Sequence, residues 1–116
     1  MTLALTPEAL AAAYDYLCEF PPFSKWNMPH SEDVRFVVTR HDDRFAHYQM
    51  VDGVHNIAVS TKWVNRHDSL LSTMAHELIH LHARATNMRM RSAHGRAFQI
   101  MADEVCTIHG FDRLNF

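Results

Sequence analysis

His76, Glu77 and His80 stand in the stretch Thr73-Met74-Ala75-His76-Glu77-Leu78-Ile79-His80-Leu81-His82, whose other members are mostly apolar. Ionisable groups within an apolar helix are costly unless something pairs with them. Two histidines four residues apart fall on one helical face, one turn apart. Their ring nitrogens can converge on a single metal ion, and zinc, with bonds to nitrogen of about 2.0–2.1 Å, is the natural occupant. Glu77 directly follows the first histidine, so its carboxylate can act on a water at the ion without becoming a ligand. Leu78 and Ile79 point away and pack. A helix with only a solvated His/Glu edge would show the same five residues, so the reading needs a third ligand.

His82 lies six residues after His76 and points to another side of the helix. Ala83 and Thr86 stand where the short extended motif H-E-x-x-H-x-x-G-x-x-H needs Gly and His. His94 is the next candidate. It sits where a final helix begins, and the helix dipole there disfavours extra positive charge and so favours a neutral imidazole. Glu104 is the rival and would give a His-His-Glu set. The two are separated by about 15 Å along a straight helix, so they cannot both hold one ion.

Several elements must position these residues. Thr6-Pro7-Glu8 is a helix start, with Thr as N-cap, Pro in the first turn and an acid beside it. Leu10, Ala13, Tyr14 and Leu17 continue as a helical stripe, which Pro21-Pro22 stops. Residues 20–33 are loop-like. Val34–Thr39, Phe45–Val51 and Val54–Ser60 are predicted strands, with a turn at His41-Asp42-Asp43 and a two-residue type I′ turn at Asp52-Gly53. They are expected to form a small antiparallel meander. Asp68 or Ser69 caps a helix running to about Ala85, with Leu71, Met74, Leu78 and Leu81 as its core stripe. Residues 88–93 form a loop. A last helix starts near His94 or Gly95, carries Ala97, Phe98, Met101, Val105 and Ile108 on one face, and ends at Gly110.

Bulk properties narrow the field. The 116 residues suit one domain with one core, expected over 1–116. A hydrophobic fraction of 47% and a charged fraction of 21% are ordinary, whereas ten histidines are not. A net charge of −2 supplies no global basic field for nucleic acid. Cys18 and Cys106 form no CxxC and fall in apolar helical stretches, as buried thiols of a reducing compartment do. The start, MTLALTPEALAAAYDYL, has no positive n-region and is interrupted by Pro7, Glu8 and Asp15, unlike a signal peptide. No window reaches the length of a membrane span. An intracellular protein without membrane partners is expected.

The chain resembles the SprT-like zinc metallopeptidases. The resemblance rests on His76-Glu77-Leu78-Ile79-His80, on His94-Gly95-x-x-Phe98 and, more loosely, on Ile57-Ala58-Val59-Ser60 before the active helix. The order of elements agrees over most of residues 34–105. It implies an α+β, zincin-like fold with an N-terminal helix, the meander, the active-site helix and a ligand-bearing C-terminal helix. It implies that His76, His80 and His94 bind one catalytic Zn2+, and that Glu77 is the general base of an endopeptidase acting on protein substrates. Many relatives carry a cysteine-ligated zinc ribbon or DNA-binding segments after this domain. No CxxC follows in these 116 residues, so something close to a bare catalytic core is expected.

Other residues extend the expectation. Arg84, Arg89, Arg91 and Arg96 form a basic run with no acid between 82 and 96, placed to hold a nucleic-acid backbone beside the site or to form a solvated loop. His47 and Tyr48 are candidate oxyanion donors from the strands. A peptide could add as a strand beside Ile57–Ser60. Trp26 and Trp63 could stack on bases, with packing as their ordinary role. His30, His41, His55, His67 and His109 have no ligand spacing and are expected at the surface. Two rival functions remain open: a non-enzymatic, zinc-stabilised module that binds DNA or protein, and a gluzincin-like repressor-cleaving protease that uses Glu104.

Overall fold

Pro7–Cys18 forms the first helix, α1, in the computed structural model, which describes residues 4–116. Thr6 stays extended, and its Oγ1 accepts a hydrogen bond from the Ala9 N–H at 3.0 Å, satisfying a donor that the helix cannot. Leu10, Ala13, Tyr14 and Leu17 are buried, as their spacing requires. Short 3-10 turns at Phe23–Lys25 and Ser31–Asp33 occupy the expected loop. Within that loop Trp26 stacks on His82, with ring centroids 4.3 Å apart and planes 11° from parallel. His82 therefore serves packing.

The strands are β1 (Val34–Thr39), β2 (Ala46–Val51) and β3 (Val54–Ser60). The hairpin between β2 and β3 forms as expected: Asp52 and Gly53 have φ of 50° and 78°, the positive values that a type I′ turn needs at both positions. The expected antiparallel meander does not form. Strand order is β1-β3-β2, with β1 parallel to β3 and β2 antiparallel to it, so the sheet is mixed. The reason lies in β3. Ile57, Ala58, Val59 and Ser60 are buried in succession, which suits a strand covered on both faces and paired on both edges. Residues 40–45 make a crossing rather than a tight turn. That crossing is tied down by Ser60 Oγ–H donating to the His41 carbonyl at 2.8 Å and by Trp63 Nε1–H donating to the Asp42 carbonyl at 3.0 Å.

The second helix, α2, spans His67–Ala85 and packs against α1, β2 and the last helix, α3 (Arg96–His109). It begins earlier than Asp68 or Ser69 would suggest. Arg66 is the N-cap, and the Ser69 hydroxyl accepts from the Arg66 N–H at 3.2 Å in the manner of a capping box. Leu70, Met74, Ala75, Leu78, Ile79 and Leu81 all lie in the core, so α2 is covered over much of its circumference. In α3 the inner face is Phe98, Ala102, Val105 and Cys106, whereas Ile108 is exposed. Gly110, with φ of 77°, ends α3 by donating its N–H to the Cys106 carbonyl at 2.8 Å. Cys18 and Cys106 are free thiols. Among the described residues no helix is long and apolar enough to cross a membrane.

Replacing Thr6 by Ala should lower unfolding stability by about 1 kcal/mol, measured as a shift in the urea midpoint at unchanged slope.

Candidate metal centre

The middle of α2 points His76 and His80 out of the core towards the loop that precedes α3, and that loop brings His94 to meet them. Their Nε2 atoms form a nearly equilateral triangle with sides of 3.1 Å (His80–His94), 3.2 Å (His76–His94) and 3.3 Å (His76–His80). Three ring nitrogens, each with one proton or one lone pair, cannot satisfy three mutual contacts by hydrogen bonding. A tetrahedral ion with bonds of about 2.0–2.1 Å would need nitrogens about 3.3–3.4 Å apart, close to the spacing found. The triad is therefore positioned to bind a metal ion, and among the described residues it is the one group of three or more His, Cys, Asp or Glu so arranged.

Neighbouring groups fix each ring. His76 Nδ1–H donates to the main-chain oxygen of Phe116 at 3.2 Å, which leaves its Nε2 lone pair free for the ion. The Phe98 ring, on the first turn of α3, lies under all three imidazoles, with its centroid 4.9 Å from each. Phe98 is buried, so this face of the triad is closed by an apolar floor. The Gln99 amide donates to the His94 carbonyl at 3.0 Å, and Gln99 in turn accepts from Arg113, whose Nε–H also donates to Asp103 at 2.6 Å. His94 itself lies just ahead of α3, because Gly95 is the N-cap. A side chain at Gly95 would come within 2.8 Å of Ser92 Oγ, so a bare backbone keeps this corner tight.

The open side of the triad faces a cleft of about 440 Å³ between α2 and β2, lined by Ala46, His47, Tyr48, Glu77, Arg84 and the three histidines among others. Glu77 also borders a smaller hollow of about 170 Å³ with Phe45, Thr73 and Phe116. Burial pushes the Glu77 carboxyl up to about 7. Burial, reinforced by the neighbouring histidines, pushes His76 and His80 down to about 4, which keeps both rings neutral and able to ligate near pH 7. Tyr48 shares a 2.6 Å hydrogen bond with His55 Nδ1 on the cleft side of the sheet.

A sequence profile of the SprT-like family matches residues 20–115, most of the chain. The chain belongs to the SprT-like family. No curated protein sequence matches it closely enough to be named as a relative.

Within this SprT-like domain, the other sequence expectations sort by position. Glu104 is exposed on α3 and lies outside the triad. Of the four arginines, Arg84 lines the metal cleft, and Arg89, Arg91 and Arg96 line a hollow of about 380 Å³ that shares Met90 with it. Strand addition beside Ile57–Ser60 is ruled out because β3 is paired on both edges; the sheet edge at the cleft is β2. His30, His41 and His67 are exposed as expected, whereas His55 and His109 are half-buried: His109 Nε2–H donates to the Pro21 carbonyl at 2.9 Å and its ring packs on Phe23 and Phe111. Phe116, Gln99 and Arg113 carry no ligand signal in the sequence, since their part is played through main-chain and amide contacts. Phe98 was legible through the His94-Gly95-x-x-Phe98 spacing.

His94→Ala should abolish tight metal binding and Glu104→Ala should leave it intact, measured as bound metal per chain. In the metal-free protein, Glu77→Gln should raise stability above pH 7 by about 1–3 kcal/mol. A carboxyl raised in the folded state is protonated in both states below about 4.5 and ionised in both above about 7, so the gain should vanish at the low end, grow between these values and level off above about 7. Urea unfolding across pH 4–8 checks this.

Proposed function

We propose that this SprT-like domain is a zinc-dependent endopeptidase in which Glu77 is the general base. The observation that carries the reading is the placement of Glu77: its carboxylate faces the same cleft as three converging imidazoles and is not itself one of the clustered ligand groups. A donor set of three neutral imidazoles suits zinc, and three protein ligands with one open position mark a catalytic site. A structural zinc site would close the fourth position with a protein group, and among the described residues no fourth His, Cys, Asp or Glu joins the triad. This favours the enzyme over the non-enzymatic module.

Bound zinc would supply Lewis acidity, activating water near neutral pH and polarising a peptide carbonyl. Glu77 takes the proton from the attacking water and delivers it to the leaving amide nitrogen, so that the C–N bond breaks with a neutral amine departing. In the metal-free protein burial raises the carboxyl's proton affinity, the direction that strengthens a general base. His76 keeps its ligating tautomer through Phe116, and Phe98 keeps water from the back of the triad. The outer edge of β2 lines the cleft and offers main-chain groups along which an extended protein segment is held across the site. Tyr48 and His47 both line the cleft and are the candidate donors for the developing oxyanion, Tyr48 when His55 Nδ1–H donates to its oxygen and so leaves its O–H free.

Nucleic acid enters this proposal through Arg89, Arg91 and Arg96. They share one hollow at the start of α3, and the ion pairs among the described residues engage other groups. Such a cluster suits a phosphate backbone that brings bound proteins to the neighbouring cleft.

Zinc-loaded Glu77→Gln should cleave protein substrates about 10²–10⁴-fold more slowly than wild type while retaining its zinc, with or without single-stranded DNA. Equal cleavage by the two would overturn the role of Glu77. Cleavage by neither, across denatured and DNA-bound substrates, would overturn the endopeptidase reading. Changing Arg89, Arg91 and Arg96 together to Ala should weaken single-stranded DNA binding and flatten its salt dependence, measured by fluorescence anisotropy.

A further inference from the structure

His76, His80 and Arg84 follow one another at intervals of four and so share one face of α2. The first two belong to the triad positioned for a metal ion. Arg84 lines the far part of the same cleft, beside Tyr48, Ala83, Met88 and Met90. Apart from the histidines, the charged groups on the cleft wall are Glu77 and Arg84, and none of the ion pairs among the described residues uses Arg84. Arg84 is exposed at the cleft and unpaired, and its guanidinium offers a planar fork that matches a carboxylate.

We propose that Arg84 is a specificity-determining residue that selects substrates carrying a carboxylate near the scissile bond. The proposal rests on the endopeptidase reading and deepens it. One helical turn separates Arg84 from His80, about 6 Å along α2, and an arginine side chain reaches further still. An extended peptide advances about 3.3 Å per residue, so the carboxylate lies about two to three residues from the bond being cut. A polyanionic backbone fits this position poorly, because Glu77 occupies the same cleft and the other three arginines of the loop face a different hollow. A single carboxylate, from Asp, Glu or a peptide C-terminus, asks for only one cation.

The test uses matched peptides that differ only in Glu, Gln or Lys at successive positions around the cleaved bond, each with a free or an amidated C-terminus. Zinc-loaded wild type should prefer Glu over Gln by about tenfold or more in kcat/KM at one position, expressed mainly in KM. The ratio should fall towards one in Arg84→Gln and invert in favour of Lys in Arg84→Glu. A preference that survives amidation assigns the carboxylate to a side chain, and one lost on amidation assigns it to the peptide end; both support the proposal. Equal kcat/KM for Glu and Gln peptides in wild type, or a ratio that persists in Arg84→Gln, would overturn it. A loss of single-stranded DNA binding in Arg84→Gln with the peptide ratio intact would also overturn it, assigning the guanidinium to phosphate. Affinities of the same peptides for zinc-loaded Glu77→Gln report the preference without cleavage. Failure of the peptidase reading therefore shows as no cleavage, and failure of this proposal as equal affinity.

Discussion

Three imidazole nitrogens held about 3 Å apart repel or strand one another unless a cation stands among them. Much of the neighbouring structure maintains that arrangement. Leu78 and Ile79 anchor α2 in the core so that its outer edge is held at a defined angle. Phe98 sets the height of all three rings, and the Gln99–Arg113–Asp103 chain holds the main chain at His94. Phe116, forty residues after His76, decides which nitrogen of that ring carries its proton. These contacts come from α2, the loop before α3, α3 itself and the tail. The site is thus a product of tertiary packing and not of the five-residue motif alone.

The same arrangement has a cost in the absence of metal. Glu77 is held where its charge is poorly solvated, and His76 and His80 are held where theirs would be. A fold selected for stability alone would have placed apolar groups at these positions. Their retention on a helix otherwise packed with leucine, isoleucine and methionine fits a part of the molecule shaped by chemistry.

What the sequence disclosed was governed by range. Thr6 with Pro7, Asp52 with Gly53, and Gly110 each act through the backbone within a few residues, and each does in the structure what its type implies. His76, Glu77 and His80 were legible for the same reason, because a helix alone fixes their mutual placement. His94 needed a loop of unknown path, and spacing left Glu104 open beside it until the geometry separated them. Strand order was misjudged because nearest-neighbour pairing is only a tendency, and the unbroken burial of Ile57–Ser60 outweighed it. The basic run looked continuous in one dimension, yet the turn at Asn87 and the loop after it send Arg84 and the other three arginines to different hollows. The Phe116 contact had no local trace, because a main-chain oxygen has the same chemistry in every residue.

The aromatic floor under the triad also limits the sides from which a metal ion could be reached. Phe98 is buried against all three imidazoles, so the open approaches are the cleft beside β2 and the smaller hollow at His76 and Glu77. A chelating drug would enter more readily by the wider cleft, past β2, and leave its bulk in the groove along α2. Reagents that strip metal by wrapping it would be blocked on the Phe98 side.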